Sequence, residues 1–134
     1  MKTLLLVPTA EGIGLTSACL GMIQALDYLG IKANFLKPFS QQKDKDNRTS
    51  ALVGHLYQRP QVNPIDAEKI RHMVAIGETD ELLEEVISLH RQVAKDHEII
   101  IVEGLVPDAE HGYIAQLNAS LAQALDARVI LVST

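Results

Sequence analysis

Residues 7–17, V-P-T-A-E-G-I-G-L-T-S, bring together two glycines and a hydroxyl where an apolar run gives way to a helical pattern. That arrangement suits the chemistry of phosphate. In the pattern G-x-x-x-x-G-K-[ST], the second glycine lets the backbone approach the anion. The lysine reaches the terminal phosphates and the hydroxyl serves Mg²⁺. Gly14 and Thr16 fit, but Pro8 stands in place of the first glycine and Leu15 in place of the lysine. The surviving parts are a turn and a helix N-terminus, whose N–H groups can still bind an anion. One lost charge-assisted contact costs about 1.5–3 kcal/mol, and more in a transition state. The loop is therefore better suited to holding an anion than to transferring a phosphoryl group. A tight strand-to-helix turn with no ligand accounts for the same residues.

Gly12, Gly14 and Ser17 also trace a damaged dinucleotide fingerprint, G-x-G-x-x-G. That fold expects an acidic residue at the end of the second strand to hold the ribose, and Lys37-Pro38 occupies the position. Asp44, Asp46 and Glu103 lie where an α/β nucleotide fold collects Mg²⁺ ligands. Asp44 and Asp46 equally suit a solvated polar loop, and Glu103 an ion pair with Lys37 across the top of a sheet. His55, His72, His90, His97 and His111 show no metal-ligand spacing and are expected at the surface. Cys19, the only cysteine, excludes an internal disulfide and reads as a small core residue on a helix.

The elements that must position these residues read as strands and helices in alternation. Apolar runs begin at Leu4 and recur at 33–38, 98–105 and 127–134. Continuous Ile, Val and Leu runs mark strands covered on both faces, as in parallel sheets. Leu15, Cys19, Met22, Ile23, Leu26 and Leu29 keep helical period, with Gly30 at the C-terminal cap. A second helix is predicted from Thr79 as N-cap to Lys95 and His97, and a shorter one opened by Asn63-Pro64. The last helix covers "YIAQLNASLAQALDA", and "SQQKDKDNRTS" is predicted as a polar loop. The sum is one α/β domain with a mostly parallel sheet and helices on both faces, three layers in all. The sequence stops on its fourth apolar strand, which is expected to leave an apolar edge bare and implies the front part of a longer domain.

With 134 residues and a net charge of -5, the chain can bury a core but is poorly matched to nucleic acid. No apolar run approaches the length of a membrane span, and a cytoplasmic protein is expected.

Taken together, "LLLVPTAEGIGLTSACLGMIQAL", "FLKPFSQ", "IIIVEGLVPD" and "LNASLAQALDARVILVST" resemble the amino-terminal domain of the long, multidomain bacterial phosphate acetyltransferases. The resemblance covers essentially the whole chain, and leucine in place of the loop lysine is part of that domain's pattern. The domain is similar in turn to dethiobiotin synthetase, a P-loop NTPase-like fold whose loop reads G-T-x-x-x-x-G-K-T. Residues matching that enzyme's functional positions are Thr9, Gly14, Thr16, Lys37 and Glu103, whereas Ser40 falls one place from its substrate-binding serine. The resemblance implies that acetyl transfer between coenzyme A and phosphate belongs to a carboxy-terminal domain absent from residues 1–134. For the front domain it implies assembly with the other domains of the polypeptide, homo-oligomer support and control by small-molecule effectors.

The candidate anion or nucleotide site is thus Thr9, Gly12, Gly14, Leu15, Thr16, Lys37 and Glu103, with no catalytic or metal residue assigned. No cofactor is demanded. A nucleotide or another anionic metabolite is the expected ligand, with Mg²⁺ left open. Two rivals are an active ATP-dependent ligase, using Lys37 for the missing lysine and Thr16, Asp46 and Glu103 for Mg²⁺, and a scaffold that binds only subunits.

Overall fold

A computed structural model describes residues 1–41, 48–108 and 111–133. The order of elements is β1 (Lys2–Pro8), α1 (Leu15–Tyr28), β2 (Ala33–Leu36), α2 (Arg48–Tyr57), α3 (Ala67–Ala75), α4 (Thr79–Ala94), β3 (Ile99–Glu103), α5 (Tyr113–Ala124) and β4 (Arg128–Val132). The four strands form one parallel sheet in the order β2-β3-β1-β4. This places β3 beside β1, with Leu6 opposite Glu103, so that the end of β3 reaches the loop after β1.

Alternate residues of β1 serve opposite cores. Leu5 enters a cluster with Leu82, Val86 and Val93 of α4 and Leu117 and Leu121 of α5. Leu6 enters a second cluster with Leu15, Cys19 and Ile23 of α1, Phe35 of β2, Val53 of α2 and Ile101 of β3. A strand covered on both faces turns both sets of alternate residues into core, which is why Leu4 to Val7 of β1 read as a continuous apolar run. Helix α1 ends as the sequence predicts: the N–H of Gly30 donates to the Asp27 carbonyl and that of Ile31 to the Leu26 carbonyl.

The two sheet edges differ. Beside β2, the side-chain amide of Asn34 donates to the Pro60 carbonyl, Gln61 donates to Asn34 Oδ1, and Arg59 donates to the Ala33 carbonyl and pairs with Asp27. Segment 59–61 thereby covers that edge. At β4, Val129 and Leu131 are exposed. No helix among the described residues is long and apolar enough to cross a membrane.

Several boundaries differ from expectation. The polar stretch ends sooner than predicted, because α2 begins at Arg48. Val53 of that helix enters the core, and that tertiary contact outweighs the polar start. Asn63-Pro64 does not open α3, which starts at Ala67 with Asp66 as N-cap; Ile65 instead bridges to Phe39 in parallel. Thr79 is the first helical residue of α4 rather than its cap, which is Glu78. Helix α4 stops at Ala94, before Lys95 and His97.

Candidate functional site

The loop after β1 and the first turn of α1 form one wall of an open cavity of about 520 Å³ at the carboxyl ends of β1 and β3. Crevices at the carboxyl ends of strands are where open α/β sheets bind ligands. Gly14 is the N-cap of α1, at φ 80°, in the left-handed region that favours glycine. A Cβ there, or at Gly12, would meet nothing within 4 Å, so the backbone presents itself to open space. No side chain caps the helix, and the first N–H to find an intrahelical acceptor is that of Ala18, which donates to the Gly14 carbonyl. The N–H groups of Leu15, Thr16 and Ser17 precede the helix's own bonding and are the donors an anion would use.

Across the cavity, Lys37 Nζ lies 2.9 Å from Glu103 Oε2, so the ion pair over the top of the sheet is present. Glu103 Oε1 is buried and has no hydrogen-bond partner among the described residues. Gln41 closes another side: its amide nitrogen donates to the Val106 carbonyl at 3.0 Å, and the Val106 N–H donates to its oxygen at 2.7 Å. This two-way contact ties the loop after β2 to the loop after β3. Asp108, paired with His111 at 2.5 Å, completes the rim with Glu11.

Leu15 also lines the cavity, yet it is only 8% exposed and packs in the cluster of Leu6, Cys19 and Ile23. Beneath it, burial pushes the Cys19 thiol well above its usual value, the Glu103 carboxylate adds to this, and Lys37 opposes it. A thiol held protonated is not a nucleophile, in keeping with its reading as a core residue.

Of the residues singled out from the sequence, Gly12, Gly14, Leu15, Thr16, Lys37 and Glu103 meet at this cavity. Thr9 does not line it; its side chain is exposed and its N–H donates to the Val132 carbonyl. Ser40 is buried beside a smaller cavity of about 70 Å³ that shares Gln41 and Asp108 with the first. Asp44 and Asp46 lie outside the described residues. Gln41, Val106 and Asp108 were not singled out, since no spacing rule marks a side chain that bonds to a distant backbone.

The expectation of surface histidines fails at two positions. His90 is buried and its Nε2 lies 2.9 Å from Thr3 Oγ1, while His97 is buried with Nδ1 2.7 Å from the Lys95 carbonyl. Their seven-residue separation does not put them on one helix face, because His97 lies beyond α4.

Among the described residues no group of three or more His, Cys, Asp or Glu is placed to hold a metal ion. One Glu103 oxygen accepts the Lys37 ammonium and Thr16 lines the same cavity, while Asp46, the third ligand of the Mg²⁺-dependent rival, lies outside the described residues.

Fold and site define a P-loop-like α/β domain in which a packed leucine replaces the loop's charged residue. The chain belongs to the family described as an AAA domain, whose model matches residues 2–134. It is similar to the amino-terminal part of phosphate acetyltransferases. The protein of that name from Acinetobacter baylyi is 57% identical over 135 residues, covering 100% of this chain and 19% of the relative. That from Pseudomonas aeruginosa is 42% identical over 136 residues, covering 99% of this chain and 19% of the relative. The Escherichia coli protein is 29% identical over 135 residues, covering 98% and 19%. The chain thus spans about a fifth of the length of the relatives it matches.

Proposed function

We propose that this chain is a ligand-holding, non-catalytic domain of a phosphate acetyltransferase. In this reading it supports assembly and metabolite control of an acetyl transfer, from acetyl-coenzyme A to phosphate, that is carried out by the rest of the polypeptide. The observation that carries the reading is the burial of Leu15 in an apolar cluster while the surrounding loop and helix N-terminus still border a cavity of about 520 Å³. The part that stabilises charge on a transferring phosphoryl group is replaced, and the part that holds an anion is kept. A nucleotide or another anionic metabolite is the ligand class. The active-ligase alternative needs Lys37 to serve the phosphates, but its ammonium is engaged with Glu103.

Calorimetry with ATP, reduced nicotinamide dinucleotide, pyruvate and phosphoenolpyruvate, with and without Mg²⁺, tests the reading. At least one should bind, and binding should be lost in Gly14→Asn, which fills the cavity mouth with a residue that tolerates positive φ. ATP should not be turned over. Turnover that disappears in Lys37→Ala, with the fold intact, would establish the ligase instead.

A further inference from the structure

The smaller cavity, of about 70 Å³, lies between α3, the loops after β2 and β3 and the start of α5, and the phosphate-type loop has no part in it. Its walls are fixed from several sides. The Ser40 N–H donates to the Ile65 carbonyl at 2.9 Å and the Ile65 N–H to the Pro38 carbonyl at 2.8 Å, which ties the loop after β2 to the segment entering α3. Gln41 is held by its two bonds to the Val106 backbone. Asp108, which also lines the cavity, is bonded to His111, and the His111 ring stands edge-on to Tyr113 with centroids 5.7 Å apart. Walls already in place reduce the ordering cost that a ligand must meet.

Into this frame α3 brings a cation. Ala67 and Arg71, one turn apart, line the cavity together with Ile70. Arg71 is exposed, and its guanidinium makes no hydrogen bond or ion pair among the described residues. A planar guanidinium presents parallel N–H donors that match a carboxylate or a phosphate in a two-point contact. The floor decides between the two anions. Ile70, Leu105 and Ile114 are buried side chains at the cavity wall, and phosphate oxygens turned toward them would lose their hydration without gaining donors. A hydrocarbon stem is suited to that floor. The volume admits on the order of five waters, or a molecule of about six non-hydrogen atoms, which leaves no room for a nucleotide.

We propose that this cavity is a second ligand site, separate from the one at the α1 N-terminus, and that it takes a short-chain aliphatic monocarboxylate. The carboxylate sits in the fork of Arg71 and the hydrocarbon chain lies against Ile70, Leu105 and Ile114. The inference does not depend on what fills the larger cavity.

The test follows the backbone amide resonances of Arg71 and Ile114, and of Gly14 and Thr16, in the isotopically labelled protein. Butanoate, its neutral counterpart butanamide and inorganic phosphate are titrated separately at pH 7.5. Butanoate should shift Arg71 and Ile114 saturably, leave Gly14 and Thr16 in place, and bind at least tenfold tighter than butanamide. Arg71→Gln should weaken butanoate at least tenfold. Arg71→Lys, which keeps the charge and loses the fork, should weaken it at least threefold. Both changes fall on an exposed side chain, so the fold should survive them. Gly14→Asn, which blocks the larger cavity, should leave butanoate binding unaltered. Butanoate binding that is lost in Gly14→Asn and kept in Arg71→Gln would place the ligand in the larger cavity and overturn the second site. Phosphate binding at Arg71 as tightly as butanoate would overturn the monocarboxylate class. Equal binding of butanoate and butanamide, or no saturable shift with butanoate, would overturn the proposal while leaving the anion site at the α1 N-terminus standing.

Discussion

Leu15 occupies the position from which a lysine would reach a bound phosphate, and its surroundings suit an apolar side chain. It packs against side chains of β1 and α1 in the cluster that also holds Phe35 and Ile101. Burying such a side chain contributes about 1.5–3 kcal/mol, and an ammonium in its place would have to escape into the cavity or shed its hydration. Leu15→Lys should therefore lower the thermal midpoint and create no tight ATP binding. An unchanged midpoint together with new tight binding would refute the packed-leucine account. This substitution was visible in the sequence because the loop around it is a contiguous motif with fixed spacing. Glu103 and Lys37 were also legible, being at strand ends, and their 2.9 Å contact follows from β3 lying between β1 and β2. The orphaned Glu103 oxygen was not legible, since it depends on which donors the folded chain brings within reach.

At the scale of elements, the turn leaving β3 is held by contacts that local propensity does not reveal. The Gly104 N–H donates to the Leu6 carbonyl at 2.8 Å, extending the β1–β3 ladder one residue past the strand. Asn118 of α5 then accepts the Leu105 N–H at 2.9 Å and donates to the Leu105 carbonyl at 3.0 Å. A Cβ on Gly104 would lie 2.9 Å from the Leu6 carbonyl oxygen and 3.1 Å from Asn118 Oδ1. Neither can withdraw without breaking one of these bonds, so Gly104→Ala should cost about 1–3 kcal/mol, as overpacking does. It should also displace Glu103 from Lys37. Denaturant unfolding checks the first, and an unfolding free energy within about 0.5 kcal/mol of the parent would mean that the turn can yield. Periodicity located β1, α1, α4, β3 and α5, whose apolar faces are long and regular. It missed α2, because that helix starts in a polar stretch and, among its described side chains, gives Val53 to the cluster packed on α1. The cap positions slipped by one residue at α4 and by three at α3, from Asn63 to Asp66, because no side chain makes a capping hydrogen bond at either N-terminus.

At the scale of the whole molecule, two buried imidazoles give the fold a pH dependence. His90 faces Thr3 across the α4–β1 contact, and burial lowers its pKa from the usual 6.5. For His97 burial also acts first and downward. The Lys95 carbonyl pulls its pKa back up, Lys32 and Arg59 add to the lowering, and Asp96 opposes them. In the unfolded chain both rings take up a proton near pH 6.5, while in the folded chain they do so only at lower pH. Between those values the unfolded state binds more protons, so stability rises with pH. The contribution is complete above about pH 6.5 and is lost as the pH falls below it. Most carboxylates stay ionised down to about pH 5, which leaves a window in which the histidines dominate the slope. The thermal midpoint should therefore be flat from pH 8 to pH 7 and decline from pH 6.5 to pH 5.5. His90→Gln and His97→Gln should each flatten that decline, since each removes a ring whose pKa burial lowers. A midpoint that stays level down to pH 5.5 in the parent protein would mean that these rings are not held neutral inside the fold.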